Sequence, residues 1–394
     1  MASTPSPAFP LAEANTTFFL DLFKKLSDED KTANMFLSPL SISAALAMVM
    51  LGASGNTAAQ MSKVSGCFQC LTPQIADDDD KVHAGFAQLL SELNKKPAPY
   101  ALSVANRLYG EQSYQFVQKF LAGTKKHYKA ELESVDFRNN AEGARVRINS
   151  WAEEKTQGKI KDVLAPGMVD SLTALVLINA IYFKGTWRDP FRKRSTVDDL
   201  FRMNKIDTKP VKMMQQKTWF SFASIPEAKI KVLEMPYKGM ELSMLIILPN
   251  EIEDDTTGLE KLEKELTYEN FVNWTGPDMM GQSEVDVKLP RFKMEAKYDM
   301  KEVLKSMGML DAFDVSKSDF SGMSPANDLV LSKVVHKAFV EVNEEGTEAA
   351  AVTMDKRLCW SISSTFSADH PFLFFIRHNP TKTVLFAGRY CSPE

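Results

Sequence analysis

The 394-residue sequence predicts an α+β fold in which helices and large sheets share one domain without strict alternation. Three observations carry that class. Apolar residues near the N-terminus recur at helical spacing. Short runs rich in Val, Ile, Phe and Leu, bounded by Pro, Gly or charged turns, begin near Ala101. Helical patterns lie between some of these runs and not others, which argues against a doubly wound or barrel protein. With 44% hydrophobic and 25% charged residues the chain can bury a large core, and no low-complexity linker or internal repeat divides it, so residues 1–394 read as a single domain.

In chain order, Leu11, Ala14, Phe18, Leu22, Phe23 and Leu26 predict an amphipathic helix after a Pro-rich start. A second helix follows FLSPLSIS and runs through AALAMVMLG, with Gly52 placed to stop it; its near-continuous apolar character predicts burial on all sides. ADDDDK, residues 76 to 81, reads as the solvated tip of a loop, because four adjacent aspartates repel one another. The alternative, a processing site for an acid-lysine-specific protease, rests on that short pattern alone. ALSVANRLY, LVLINAIYF, LSMLIILP, SEVDVKLPRFKM, VVHKAFVEV, PFLFFI and VLFAGRY read as strands, and NNAEGARVRINSWAEEKTQGKI as a helix. Val285, Val287 and Leu289 alternate as in a half-exposed antiparallel strand, whereas LVLINAIYF is apolar on both faces and belongs in the middle of a covered sheet.

The formal net charge of −4 argues against general nucleic-acid binding, and no stretch approaches the roughly 18 apolar residues of a membrane helix. The N-terminal stretch lacks a basic region, apolar core and small-residue cleavage site, which favours the cytosol. Cys67, Cys70, Cys359 and Cys391 are too sparse for a disulfide framework; CFQC is compatible with a redox pair, but no thioredoxin-type turn surrounds it. The sequons at Asn15 and Asn273 then read as chance matches. GxSxG, GxxxxGK[ST], GxGxxG and HExxH are all missing, His83, His127, His336, His370 and His378 show no paired ligand spacing, and Cys359 has no histidine near it in sequence. No catalytic residue, metal site or cofactor is expected. Lys119, Lys125, Lys126, His127 and Lys129 form a basic cluster that reads either as a sulfated-polysaccharide site or, with Glu131 and Glu133 following, as a plain solvated helix face. Arg192, Lys193 and Arg194 make a similarly slight localisation signal.

The residues that point to function lie between VVHKAFVEV and PFLFFI. Glu344 to Ser367 exceeds the roughly 12 to 15 residues beyond which unstructured connections become uncommon in compact domains, and connections that long are usually functional. Its first half is not ordinary loop: after Gly346, residues Thr347, Ala349, Ala351 and Thr353 put small side chains on one parity while Glu348, Ala350 and Val352 take the other. As a strand, that small face would slide over a packed core without clashes. The composition suits a segment that is a loop in one state and a sheet strand in another.

Here the sequence resembles the serpins. EEGTEAAAVT is similar to their proximal hinge, ADHPFLFFIRH and VLFAGRYCSP to their C-terminal strands, NMFLSPLSISAALAMVMLGA to their second helix, LVLINAIYFKGTW to the central strand and breach, and LVLSKVVHKAFVEVNEEGTEAA to the strand leading into the reactive loop. The likeness spans nearly the whole chain and, without a signal peptide, points to the ovalbumin-type, intracellular branch. It implies three β-sheets, about eight to nine helices and an exposed reactive-centre loop at about 344–367. It also implies a suicide-substrate mechanism, in which a serine protease acylates itself on the loop and the cleaved loop inserts as a new strand.

Carried over position by position, the resemblance implies a hinge of Glu344, Glu345, Gly346, Thr347, Glu348, Ala349, Ala350, Ala351, Val352 and Thr353. It implies a polar cluster of Ser38, Ser41, Asn179 and His336 governing strand separation, and Trp187 where insertion starts. The usual hinge-to-bond spacing puts the scissile bond between Trp360 and Ser361, which suits chymotrypsin-like proteases; Leu358, Cys359, Lys356 and Arg357 are alternatives. One departure stands out, because the inward parity continues to Asp355 and Arg357, whose burial would slow late insertion. The implied partners are target serine proteases held as covalent acyl complexes by a monomer, with no membrane or nucleic-acid partner. Two alternatives stay open: a non-inhibitory binding or storage serpin, and an inhibitor of papain-like cysteine proteases.

Overall fold

A computed structural model describes residues 8–65, 79–95, 100–346 and 364–393. Six helices occupy the first half of the chain: α1 (Ala8–Glu29), α2 (Pro39–Met50), α3 (Gly55–Ser65), α4 (Asp79–Leu93), α5 (Gln118–Tyr128) and α6 (Phe137–Lys155). The short helices α7 (Glu260–Glu265), α8 (Tyr268–Trp274) and α9 (Lys301–Ser306) bring the total to nine among the described residues. The strands are β1 (Met35–Leu37), β2 (Tyr100–Glu111), β3 (Leu132–Val135), β4 (Leu175–Gly185), β5 (Val197–Arg202), β6 (Thr208–Ile225) and β7 (Ile230–Pro236). They continue with β8 (Leu242–Pro249), β9 (Gly281–Pro290), β10 (Phe292–Asp299), β11 (Leu331–Val342), β12 (Ser364–Ser367), β13 (Phe372–His378) and β14 (Thr383–Tyr390).

These strands make a five-stranded sheet, ordered β10-β11-β4-β2-β3, and a nine-stranded one whose path runs β1-β14-β13-β8-β7-β6-β9-β12 with β5 joined to the side of β6. The path divides into two lobes at β6. Residues Thr208–Met213 of β6 pair with β5, Met213–Phe222 with β9, and the last residues, Ser221–Ile225, with β7. Counted by lobe, the expected three sheets are present. In the five-stranded sheet β11 lies directly beside β4 and parallel to it, from Leu331 opposite Leu175 to Val340 opposite Phe183.

The element chemistry follows the sequence. In α1, Leu11, Ala14, Phe18, Leu22 and Phe23 are buried. All twelve residues of α2 are buried, its N-terminus is capped by the Ser38 side chain with Pro39 at the first helical position, and it ends two residues before Gly52. An added Cβ at Gly52 would lie 2.1 Å from Met323 Cγ, so the stop is also a close approach. β4 is buried except at Lys184, as a central strand requires. The two ends of the chain are locked together: β1 pairs with β14, Asn15 Nδ2 donates to Val384 O at 2.9 Å, and the fully buried Arg389 donates to Ala33 O, Ser27 Oγ and Glu263 Oε1.

Three expectations are corrected. SEVDVKLPRFKM is not one strand: it breaks at Arg291 into β9 and β10, which belong to different sheets. The acid run is not loop throughout, because α4 begins at Asp79. The long connection ends at Ser364 rather than Ser367, since Phe366 is fully buried and β12 pairs in parallel with β9. The Cys67–Cys70 pair lies outside the described residues. Among the described residues no helix is long and apolar enough to cross a membrane.

Candidate functional site: the β11–β4 seam and its hinge

Midway along the five-stranded sheet a single register row crosses four strands. Tyr298 of β10 faces His336 of β11, His336 faces Asn179 of β4, and Asn179 faces Asn106 of β2. Polar groups in the interior of a sheet persist only if bonded, and the N-terminus of α2 supplies the partners. The Ser38 backbone N–H donates to His336 Nε2 at 3.1 Å, Ser38 Oγ donates to Leu385 O at 2.6 Å, and Asn179 Nδ2 reaches Ser41 O at 3.1 Å. Asn179 Nδ2 also meets Ser41 Oγ and Asn106 Oδ1, and its Oδ1 accepts from His336 Nδ1.

This geometry fixes the imidazole chemistry. A ring that accepts at Nε2 and donates from Nδ1 is neutral, and burial pushes the His336 pKa down to about 3. The structure therefore brings Ser38, Ser41, Asn179 and His336 together as one hydrogen-bonded group spanning the seam. Sequence reading missed Asn106 and Tyr298. Asn106 carried a signal, because it is a polar residue within ALSVANRLY as Asn179 is within LVLINAIYF.

At the top of the seam β11 runs out at Val342 into a turn held against the segment after β4. Trp187 is 2% exposed and stacks on Tyr237 with ring centroids 4.5 Å apart, while its Nε1 donates to Asn343 O at 3.0 Å. Its backbone N–H donates to Glu345 O at 3.0 Å, and Phe191 N donates to Glu344 O at 2.7 Å. The Glu344 carboxylate is itself buried, accepting from Thr196 Oγ1 at 2.8 Å, with Arg291 4.0 Å away. Glu345 pairs with Lys193 at 2.8 Å, a hydrogen bond that raises the lysine's pKa.

Gly346 closes the turn at φ +83, and an added Cβ there would sit 2.5 Å from both Gly185 O and Trp187 N. Only glycine fits, both for conformation and for space. Nothing local in the sequence marks Thr196, Lys193 and Arg291 as hinge partners, and Lys193 reads there only as part of a slight localisation signal. The remaining hinge residues Thr347 to Thr353, the inward-parity pair Asp355 and Arg357, and the bond candidates Lys356, Arg357, Leu358, Cys359, Trp360 and Ser361 lie outside the described residues.

The histidines set aside as structural are bonded within the fold: His83 Nδ1 lies 2.5 Å from Tyr128 Oη, His370 Nε2 is 2.7 Å from Pro249 O, and His378 Nδ1 is 2.8 Å from Thr381 Oγ1. The fold does bring His83 and His127 within 5.9 Å, which sequence spacing did not indicate. Among the described residues no three His, Cys, Asp or Glu side chains gather as a metal site would need. Asn15 is 1% exposed and Cys391 is buried, its thiol pushed up to about 12 by burial. In the basic cluster Lys125, Lys126 and His127 form the last turn of α5, where cations complement the helix dipole, and His127 is buried rather than presented to solvent.

The family model "Serpin (serine protease inhibitor)" matches residues 13–393. The leukocyte elastase inhibitor of Equus caballus is 52% identical over 385 residues, covering 97% of this chain and 99% of that protein. Among solved structures, uncleaved ovalbumin superposes with a TM-score of 0.87 at 38% identity, covering 97% of this chain and 99% of the other. A cleaved ovalbumin mutant with its loop inserted superposes with a TM-score of 0.86 at 38% identity, covering 99% of this chain and 100% of that one.

Proposed function

Because the chain belongs to the serpin family, we propose that it inhibits serine proteases as a suicide substrate, using the segment after Gly346 as bait and the β11–β4 seam as the trap. The observation that carries this reading is the parallel pairing of β11 with β4 immediately below the hinge. A strand turned back from the end of β11 must run antiparallel to it, and because β4 is parallel to β11 the same strand is antiparallel to both. Insertion would exchange one parallel ladder for two antiparallel ones, and parallel pairing is the slightly less stable of the two per residue. The small residues Thr347, Ala349, Ala351 and Thr353 suit the face that must pass over the core.

The chemistry belongs to the protease. Its serine Oγ adds to the carbonyl carbon of Trp360, the Trp360–Ser361 peptide bond breaks, and the proton from the serine goes through the protease's base to the departing Ser361 amine. An acyl ester joins protease to inhibitor until water cleaves it; insertion carries the ester away and distorts the protease before that happens. The hinge contacts at Trp187 and the His336 group are the latches that must release in turn, from the top of the seam to its middle. The chain itself is not an enzyme in this reading. It acts as a monomer in the cytoplasm, and the basic end of α5 is a solvated helix end that binds sulfated polysaccharide weakly at most.

The test mixes the purified protein with chymotrypsin at near-equal amounts, resolves the products on a denaturing gel and sequences the released C-terminal fragment. The expected result is a covalent band that survives boiling and a fragment starting at Ser361. Clean cleavage with no such band, by chymotrypsin and by elastase- and trypsin-like enzymes alike, would transfer the chain to the non-inhibitory class.

A further inference from the structure

We propose that Trp219 is a docking anchor outside the bait loop, covered by the attacking protease and helping to choose which protease is trapped; the inference rests on the inhibitory reading above. Trp219 is 51% exposed, while its neighbour Phe220 is 2% exposed in the core. A tryptophan left half in water at the surface is the residue type most often found to anchor protein interfaces.

Its position makes the protease the natural occupant. Thr218 pairs with Val285, and Val285 pairs with Ser364, the first described residue after the loop. Two strand spacings therefore separate Trp219 from the loop's return point, about 10 Å. The departure point lies on the other side: Arg188, which donates to Trp219 O at 3.0 Å, is two residues before Pro190 in the segment whose Trp187 and Phe191 hold the hinge. Trp219 thus lies between the two feet of the loop. Three residues separate Trp360 from Ser364, a reach of at most about 14 Å. A protease domain of roughly 230 residues has a radius of gyration of about 17 Å, so one engaged at that bond overhangs Trp219.

The surroundings define the partner's chemistry. Arg192 and Arg194 are exposed and make no ion pair among the described residues, whereas Lys193 between them is taken by Glu345. Lys217 pairs with Glu284 at 3.3 Å and Arg188 with Asp189 at 2.6 Å. These two arginines, unpaired among the described residues and on the same segment as Arg188, which bonds Trp219 O, fit a protease whose rim presents an apolar side chain with carboxylates nearby, and they disfavour one with a strongly cationic rim.

The test measures second-order rates of complex formation with chymotrypsin and with elastase for the wild type, Trp219→Ala and Arg192→Glu/Arg194→Glu. The heat-unfolding midpoint and the yield of covalent complex per cleavage are followed alongside. Trp219→Ala is expected to slow association about tenfold with at least one protease while midpoint and yield stay at wild-type values, and the double charge reversal to flatten the salt dependence of the rate. Equal rates for wild type and Trp219→Ala with both proteases would overturn the anchor. So would a wild-type dimer in sedimentation that Trp219→Ala dissolves, because the surface would then belong to a second copy. A wild type that forms no covalent complex at all would sink the inhibitory reading instead, and the two failures are told apart by that control.

Discussion

At mid-sheet the β11–β4 seam is closed by neutral hydrogen bonds among buried groups, whereas at the hinge it is closed by an aromatic stack, backbone bonds and ion pairs that reach water. The His336 group has no exposed member. At the hinge, Lys193 is 75% exposed at its side chain and Glu345 20%. A buried network collapses when one partner is lost, because the others are orphaned in a low dielectric; a rim pair lets water replace the missing partner. The middle should therefore set whether the seam stays shut, and the rim how readily its top peels.

The sharpest way to break this contrast is His336→Ala, which leaves the Ser38 N–H and the Asn179 Oδ1 without partners beside a cavity. It is expected to cost about 3 kcal/mol of native stability, read as a lowered heat-unfolding midpoint. Loop–sheet polymers should also appear on a native gel at lower temperature than for the wild type. A variant as stable and monomeric as the wild type would show that the row is not a latch.

Acid comes next. With the native pKa of His336 pushed down to about 3 and an unfolded value of 6.5, the unfolded chain binds the extra proton between those limits. Stability from this group is thus complete above pH 6.5 and lost as pH falls toward about 3, amounting to about 2 kcal/mol by pH 5. Comparing wild type with His336→Gln in denaturant at pH 7.5 and pH 5 isolates that loss; parallel curves would deny it. The smallest effect belongs to Lys193→Ala, expected to leave the same midpoint close to the wild-type value, with any difference gone in 1 M salt.

The same contrast separates what could be seen in the sequence from what could not. Strand chemistry was legible where apolar runs were long, as in β4, β11, β13 and β14, and Gly346 announced itself by the acids and small residues around it. Ser38, Ser41, Asn179, Trp187 and His336 came from likeness to a known family, and the fold then supplied a physical reason for four of them in one hydrogen-bonded group. What stayed hidden depended on register between distant segments. Asn106 joins Asn179 only because β2 and β4 pair across 73 residues, and Lys193 meets Glu345 only because the stretch after β4 folds against the end of β11. A run of three basic residues has no way to show locally that its middle member is a strut. Short or solvent-facing strands such as β5, β6 and β12 also escaped, because their apolar signal is diluted by exposed positions.

The closure of the first strand onto the last has a consequence for how the molecule is made. Arg389 and Ala33 are 356 residues apart in sequence. At about 5–20 residues per second a ribosome needs roughly 20–70 s to deliver the second after the first. Throughout that interval the helices that cushion the sheet are already in the cell without the strands they rest on. The nascent chain must wait, and a chaperone has more than a quarter of a minute in which to hold it.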